Sequence, residues 1–198
     1  MYHLVKGIYS RYTMKEEYSV LILGLDNAGK TTFFEKVKSL YTDLKATPPE
    51  RIHPTVGQNV VHINVDKIVI KFWDLGGQES LRSLWEEYYA HCHGIIFIVD
   101  STDKARLEEC SDAFMRIATD DSIANVPILM LANKQDLEDS LEVEDVKEIF
   151  NKIAQHLSAR DSRVLPISAI SGEGVTDAID WIKLRMIRNK EDRPPNYR

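Results

Sequence analysis

Four short and nearly unbroken apolar runs punctuate the chain, at residues 20–23, 95–99, 128–131 and 164–167. Their length and lack of alternation predict strands buried on both faces of a mostly parallel sheet. Between them, apolar residues fall at three- and four-residue steps over 35–41, 107–118, 143–157 and 175–187, which predicts helices packed on that sheet. The stretch from Asn59 to Trp73 reads differently. Two β-rich segments, 60–65 and 68–73, flank Asp66-Lys67, and a two-residue turn makes them a hairpin. The sum is a doubly wound α/β domain whose six-stranded, mostly parallel sheet is flanked by helices, with one antiparallel strand. Ligands in such sheets bind at the carboxyl ends of the strands, so chemistry belongs in the loops just after the apolar runs.

The first residues carry a pattern of their own. On a helical wheel Met1, Leu4, Val5, Ile8, Tyr9 and Tyr12 share one face, and His3, Lys6, Gly7, Ser10 and Arg11 share the other. Periodicity alone allows either a helix packed permanently on the domain or one that lies in a membrane interface. The chain thus divides into an amphipathic helix and linker at 1–16, a nucleotide-binding domain at 17–190 and a short tail at 191–198.

Composition narrows the classes. The net charge is −6, which argues against a broadly basic nucleic-acid surface. Arg185, Arg188, Lys190, Arg193 and Arg198 read as a solvated helix end suited to the macrodipole. Cys92 and Cys110 form no C-x-x-C pair, which fits a reducing compartment. No run approaches the ~18 apolar residues of a membrane span, and no signal peptide is evident, so the expected setting is the cytosolic side. His91-Cys92-His93 lacks a fourth ligand at fitting spacing and reads as a helix end rather than a metal site. The acidic stretch 138–148 lacks the alternating ligands and glycine of a Ca²⁺ loop and reads as a solvated helix.

The chemistry begins after the first strand. Gly24-Leu25-Asp26-Asn27-Ala28-Gly29-Lys30-Thr31 fits G-x-x-x-x-G-K-[ST] between a strand and a helix, and Thr32 follows it. Backbone N–H groups of such a loop cradle phosphate oxygens, Lys30 reaches the β- and γ-phosphates, and the Thr31 hydroxyl ligates Mg²⁺. Asn133-Lys134-Gln135-Asp136, after the third apolar run, selects the base. The Asp136 carboxylate accepts from N1–H and the 2-amino group of guanine, both lacking in adenine. Lys134 lays its stem along the base, and Asn133 ties the base loop to the phosphate loop. Ser168-Ala169 offers a backbone N–H to guanine O6. In Trp73-Asp74-Leu75-Gly76-Gly77-Gln78, Asp74 holds Mg²⁺ through a water, Gly77 permits close approach to the γ-phosphate, and Gln78 orients the attacking water. Thr55, in Pro54-Thr55-Val56-Gly57, completes Mg²⁺ coordination while its N–H meets the γ-phosphate, so this loop should relax once that phosphate is lost.

Taken together, the 24–31 loop, Pro54-Thr55-Val56-Gly57, the Trp73-to-Gln78 string and Asn133-Lys134-Gln135-Asp136 resemble an Arf-family small GTPase. Asp26 and the hairpin between the two switch segments separate it from Ras- and Rab-type proteins. Met1-Tyr2-His3-Leu4, His91-Cys92-His93-Gly94 and Arg193-Pro194-Pro195 resemble the Golgi Arf-related branch that lacks a myristoylation glycine. The resemblance implies a P-loop GTPase domain that binds GTP/GDP with Mg²⁺. It implies a slow monomeric GTPase served by a guanine-nucleotide exchange factor and a GTPase-activating protein. It implies a hairpin that slides two residues along the sheet on GTP loading. That slide expels the N-terminal helix, so the protein is cytosolic with GDP and on the cytosolic face of Golgi or trans-Golgi membranes with GTP, where it recruits effectors for vesicle traffic.

Two departures matter. Tyr2 stands where Arf proteins carry the myristoylated glycine, so a Golgi membrane receptor protein is expected to read the N-terminus, with Met1 retained and acetylated. Gln58 stands where Arfs place phenylalanine in an effector patch whose other members match Trp73 and Tyr88. The competing reading of the same loop is a P-loop phosphotransferase or ATPase with a metabolic substrate. It must explain Asp136 and has no substrate lid.

Overall fold

The computed structural model describes residues 14–154, 157 and 161–198. In chain order the elements are β1 (Glu16–Leu23), α1 (Lys30–Tyr41), β2 (Gln58–Val65), β3 (Ile68–Leu75), a 3₁₀ segment (Glu79–Trp85) running into the short α2 (Glu86–Tyr89), β4 (Gly94–Asp100), α3 (Leu107–Ala118), β5 (Ile128–Asn133), α4 (Val143–Ala154), β6 (Ser162–Pro166), α5 (Val175–Arg188) and β7 (Asn196–Tyr197). The expected helix at the N-terminus falls outside the described residues.

The sheet runs β2-β3-β1-β4-β5-β6, with β2 antiparallel to β3 and the central strands parallel. Alternate residues of β1 feed two cores. Val20 and Ile22 face α1 and α5, with Phe33, Val37, Ile179 and Ile182. Leu21 and Leu23 face α3 and α4, with Phe97, Phe114 and Phe150. Burial on both faces is why the run reads as continuous rather than alternating. Phe114 and Phe150 meet edge to face at 5.2 Å, which locks α3 to α4. The hairpin turns at Asp66, whose φ of 54° is a left-handed value that a short polar side chain tolerates.

Two expectations need correction. Strand β6 is not buried on both faces: it is an edge strand, with Val164 and Leu165 half-buried and Pro166 exposed. Proline suits such an edge because it has no N–H to give a further strand. The sheet also has a seventh strand. The segment from 191 onward folds back, and β7 pairs antiparallel with Glu16 and Glu17 at the start of β1. Arg193, read as solvated, donates instead to the carbonyls of Ala90, Ser122 and Ala124.

His93 fastens this tail. Its Nδ1 accepts from the Ser19 N–H at 2.9 Å, and its Nε2 lies 3.0 Å from Pro194 O. Both bonds exist together only in the neutral tautomer with the proton on Nε2. Burial holds the imidazole below its ordinary pKa, with Arg193 acting the same way against the Pro194 carbonyl and Glu17. The unfolded chain therefore binds the extra proton more readily. The stabilisation is fully present above the unfolded value of about 6.5 and is lost as pH falls through and below it. Acidification from about pH 7 to pH 5 is expected to lower the Tm more in wild type than in His93→Gln. At neutral pH the variant should lose about 1–3 kcal/mol by stranding a buried partner. Thermal melts of both proteins at the two pH values check this, and parallel pH profiles would exclude it.

Candidate functional site

The loop after β1 wraps the N-terminus of α1. Gly29 caps that helix at φ 92°, and a Cβ there would sit 2.3 Å from Asn133 Nδ2, so glycine is required by conformation and by space. Asn27 is also left-handed, at φ 62°. Asparagine visits that region more readily than alanine, which gives a physical account of its presence. Lys30 is buried and donates to Leu25 O at 2.7 Å. Burial pulls its ammonium down to about 8, against the pull of Asp74 and Asp26. An anion at this place would raise it again.

Next to Lys30 lies a set of oxygens. Asp74 is fully buried, and its Oδ2 accepts from Thr31 (2.9 Å), Thr55 (3.2 Å) and Asn59 Nδ2 (3.0 Å). The Thr31 and Thr55 hydroxyls are 2.9 Å apart. Burial raises the Asp74 carboxyl above the usual range although these bonds and Lys30 oppose it. Asp74 Oδ1 is buried with no hydrogen-bond partner among the described residues. An orphaned carboxylate oxygen beside two hydroxyls is an all-oxygen set that suits a hard divalent cation such as Mg²⁺. Thr31, Thr55 and Asp74 would hold it.

Asp26, Asn27, Gly29, Lys30, Thr31, Thr32, Thr55, Gly77, Gln78 and Lys134 line one cavity of about 380 Å³ with Ile170. Ten of the residues singled out in the sequence thus share one cavity lining. At the base end, Asn133 joins two loops: Nδ2 donates to Ala28 O at 2.8 Å, and Oδ1 accepts from Ala169 N at 3.0 Å. The Ser168 N–H goes to Glu173 O at 3.1 Å. Both amides expected to meet a base thus already hold partners, and a contact to O6 requires sharing or exchanging one of them. Lys134 is left-handed at φ 69° and pairs with Asp100. Asp136 is exposed and outside the cavity lining.

Several contributors have no motif. Asn59 reaches Asp74 because the hairpin register pairs the two positions, a signal present in the sequence once the turn is placed. Arg106 donates to Asp26 Oδ1 (3.0 Å) and Asp26 O (3.2 Å), and Arg82 donates to Gly77 O (2.9 Å) and Glu109 (2.6 Å). Both guanidiniums near the phosphate loop are engaged with the protein. Beside the hairpin the Trp73 and Tyr88 rings meet at a tilt with centroids 5.2 Å apart, and the Tyr88 hydroxyl donates to Gln58 Oε1.

The model of the ADP-ribosylation factor family matches residues 5–186. The chain belongs to the ADP-ribosylation factor family. It is 63% identical to ADP-ribosylation factor-like protein 3 of Saccharomyces cerevisiae, with all of both chains covered. It is 46% identical to ADP-ribosylation factor-related protein 1 of Bos taurus, over 100% of this chain and 98% of the relative. The Arl6 BBS3 small GTPase of Trypanosoma brucei, solved with the nucleotide analogue GppNp, superposes with a TM-score of 0.76 at 27% identity. That likeness covers 87% of this chain and 99% of the other. As an ADP-ribosylation factor family member the chain is a GTP-binding switch that takes GTP or GDP with Mg²⁺ and hydrolyses GTP. Membership replaces the phosphotransferase or ATPase reading.

Proposed function

We propose that this GTPase is recruited to the cytosolic face of Golgi or trans-Golgi membranes when GTP-loaded, and there gathers effectors for vesicle traffic. The observation that carries the reading is the closure of three segments on one point. Thr31 of the phosphate loop, Thr55 of the following loop and Asp74 of β3 share hydrogen bonds, and Gly77 packs against Lys30. A γ-phosphate with its Mg²⁺ is the part of a nucleotide that all three would contact at once. Lys30 binds the β- and γ-phosphates, Thr31 and Thr55 with Asp74 hold Mg²⁺, and Gly77 offers its N–H to the γ-phosphate. Gln78 orients water, while Asn133, Lys134, Asp136 and the Ser168-Ala169 turn hold guanine. Mg²⁺ supplies charge neutralisation on the phosphates.

The hairpin links nucleotide to membrane. Asp74 pairs with Ile22 of β1 in the parallel register. A two-residue slip would move β3 by roughly 6.6 Å and part Asp74 from Thr31, yet leave every side chain on its own face. An N-terminal amphipathic helix released by the reverse slip, the one that brings Asp74 to Thr31, would lie in the interface with Lys6 near the headgroups. One short helix without myristate is a weak anchor, so a Golgi membrane protein that reads the N-terminus supplies the second contact. Gln58, Trp73 and Tyr88 form the effector surface. An exchange factor and an activating protein set the two rates.

Full-length protein loaded with GDP or GTPγS and sedimented with Golgi membranes tests this, with enrichment expected for GTPγS. Thr31→Asn loses a hydroxyl that matters most with the γ-phosphate present. It should favour GDP over GTP by roughly 10- to 100-fold and remain in the supernatant. Equal partition of the two loaded forms would overturn the membrane reading, and equal GTP affinity in the variant would overturn the Thr31 role.

A further inference from the structure

The backbone at Gly77 is held from both sides by one turn. Trp85 Nε1 donates to Gly76 O at 2.9 Å, and Arg82 Nε donates to Gly77 O at 2.9 Å. These carbonyls belong to the two peptide units that flank Gly77. No peptide is cis among the described residues, and in a trans unit the C=O and the following N–H point to opposite sides. Trp85 therefore fixes the direction of the Gly77 N–H by holding Gly76 O. Arg82, by holding Gly77 O, fixes the unit that carries Gln78 and so the direction in which the Gln78 side chain leaves the backbone.

Both donors are themselves restrained. Trp85 is 3% exposed, packed in the core between the sheet and α3. The Arg82 side chain is 13% exposed, and its Nη2 donates to Glu109 of α3 at 2.6 Å. Both come from the 3₁₀ segment that Gln78 caps. Gly77 has no room to adjust: a Cβ on it would lie 2.3 Å from Lys30 Nζ, 2.5 Å from Gly24 O and 2.6 Å from Asp26 N. The Gly76 N–H is also taken, by Gly57 O at 3.0 Å. Four hydrogen-bonded or packed constraints thus converge on two glycines that have no side chains to orient themselves.

We propose that Trp85 and Arg82 are positioning residues for the reaction: Trp85 aims the Gly77 N–H at the γ-phosphate, and Arg82 sets the backbone from which Gln78 orients water. This rests on the reading of Gly77 and Gln78 as γ-phosphate and water contacts. The two roles have separate signatures. Loss of the Trp85 bond weakens only the nucleotide that has a γ-phosphate. Loss of the Arg82 bond slows hydrolysis without loosening the nucleotide.

Dissociation of GTPγS and of GDP from full-length protein, and single-turnover hydrolysis of bound GTP, read the two roles. Trp85→Phe keeps the apolar bulk and removes the donor. It should speed GTPγS release about tenfold and leave GDP release within about twofold of wild type. Equal changes for both nucleotides, or none, would overturn the Trp85 role and leave a packing residue. Arg82→Ala should slow hydrolysis about 10- to 100-fold at nearly constant GTPγS release, and Arg82→Lys, which still has a donor for Gly77 O, should recover most of the rate. Hydrolysis by Arg82→Ala at the wild-type rate would overturn the Arg82 role. Loss of GDP as well as GTPγS from Trp85→Phe would count against the Trp85 role in the same way, and the arginine variants test the Arg82 role independently. Failure of wild type to distinguish GTPγS from GDP in any measurement would instead strike the reading of Gly77 and Gln78 itself.

Discussion

Gln78→Leu is expected to bind GTP as wild type does and to hydrolyse it about 10²–10⁴-fold more slowly in the presence of an activating protein. Gln78 is exposed at the rim of the cavity, on the side of Gly77 and the phosphate loop. Its side chain makes no hydrogen bond within the described residues, so both ends of the amide are available to a water and to the γ-phosphate. Leucine has similar bulk and neither donor nor acceptor. Nothing in the fold leans on the amide, so stability should not change. Chemistry should suffer because no other group stands ready to compensate. The nearest guanidiniums are committed, Arg106 to Asp26 and Asp103, and Arg82 to Gly77 O and Glu109. An external arginine or other cation from the activating protein would stabilise the developing charge, yet it still needs an oriented water. Single-turnover hydrolysis with GTP loaded on both proteins reads the effect, alongside GTPγS affinity. A variant that turns over at the wild-type rate would remove Gln78 from the mechanism.

The elements that could be read from sequence are those in which local pattern and tertiary setting agree. The runs that became β1, β4 and β5 are buried on both faces, so apolarity alone marked them. The helical spacing over 107–118 coincides with α3, because Phe114 and Ile117 point into the core and Glu108 and Asp112 do not. Strand β6 has a similar apolar run but sits at an edge, and the one mark of that in the run is Pro166, which has no N–H to give a further strand. Strand β7 has no pattern at all. Asn196 and Tyr197 pair with β1 because Arg193 and Pro194 are fastened to Ala124 and His93, contacts made across about a hundred positions or fewer.

The site divides in the same way. The phosphate loop is contiguous, so its spacing carries its function. Asn59 enters through the hairpin register, one step of inference beyond a motif. Trp85 and Arg82 act on backbone carbonyls, and a carbonyl leaves no trace in a sequence. Asn27 is a backbone matter too, since a left-handed φ of 62° cannot be read from the loop's spacing.

Asp136→Asn should invert the choice of base. Guanine presents two donors on one edge, N1–H and the 2-amino group, and a carboxylate accepts both. An asparagine amide accepts one and sets its own NH₂ against the 2-amino group, donor to donor. Xanthine bears a carbonyl at that carbon, so the amide donor finds a partner there. The preference for GTP over XTP should therefore fall by as much as about 10⁴-fold. The structure explains why this change can be made without harm to the fold. The loop around Asp136 is held by its neighbours: Asn133 bonds Ala28 O and Ala169 N, Lys134 pairs with Asp100, and Gln135 Nε2 donates to Ser101 and Leu141 O. The Leu137 N–H closes a turn onto Lys134 O at 3.1 Å. Asp136 rides on that framework, exposed, with no side-chain hydrogen bond or ion pair among the described residues. Its Tm without nucleotide should stay within a degree or two of wild type, since a surface change of this kind costs at most about 0.5 kcal/mol. Competition of GTP, XTP and ATP for the two proteins makes the measurement. Unaltered preference for GTP, with the Tm unchanged, would mean that another group reads the base.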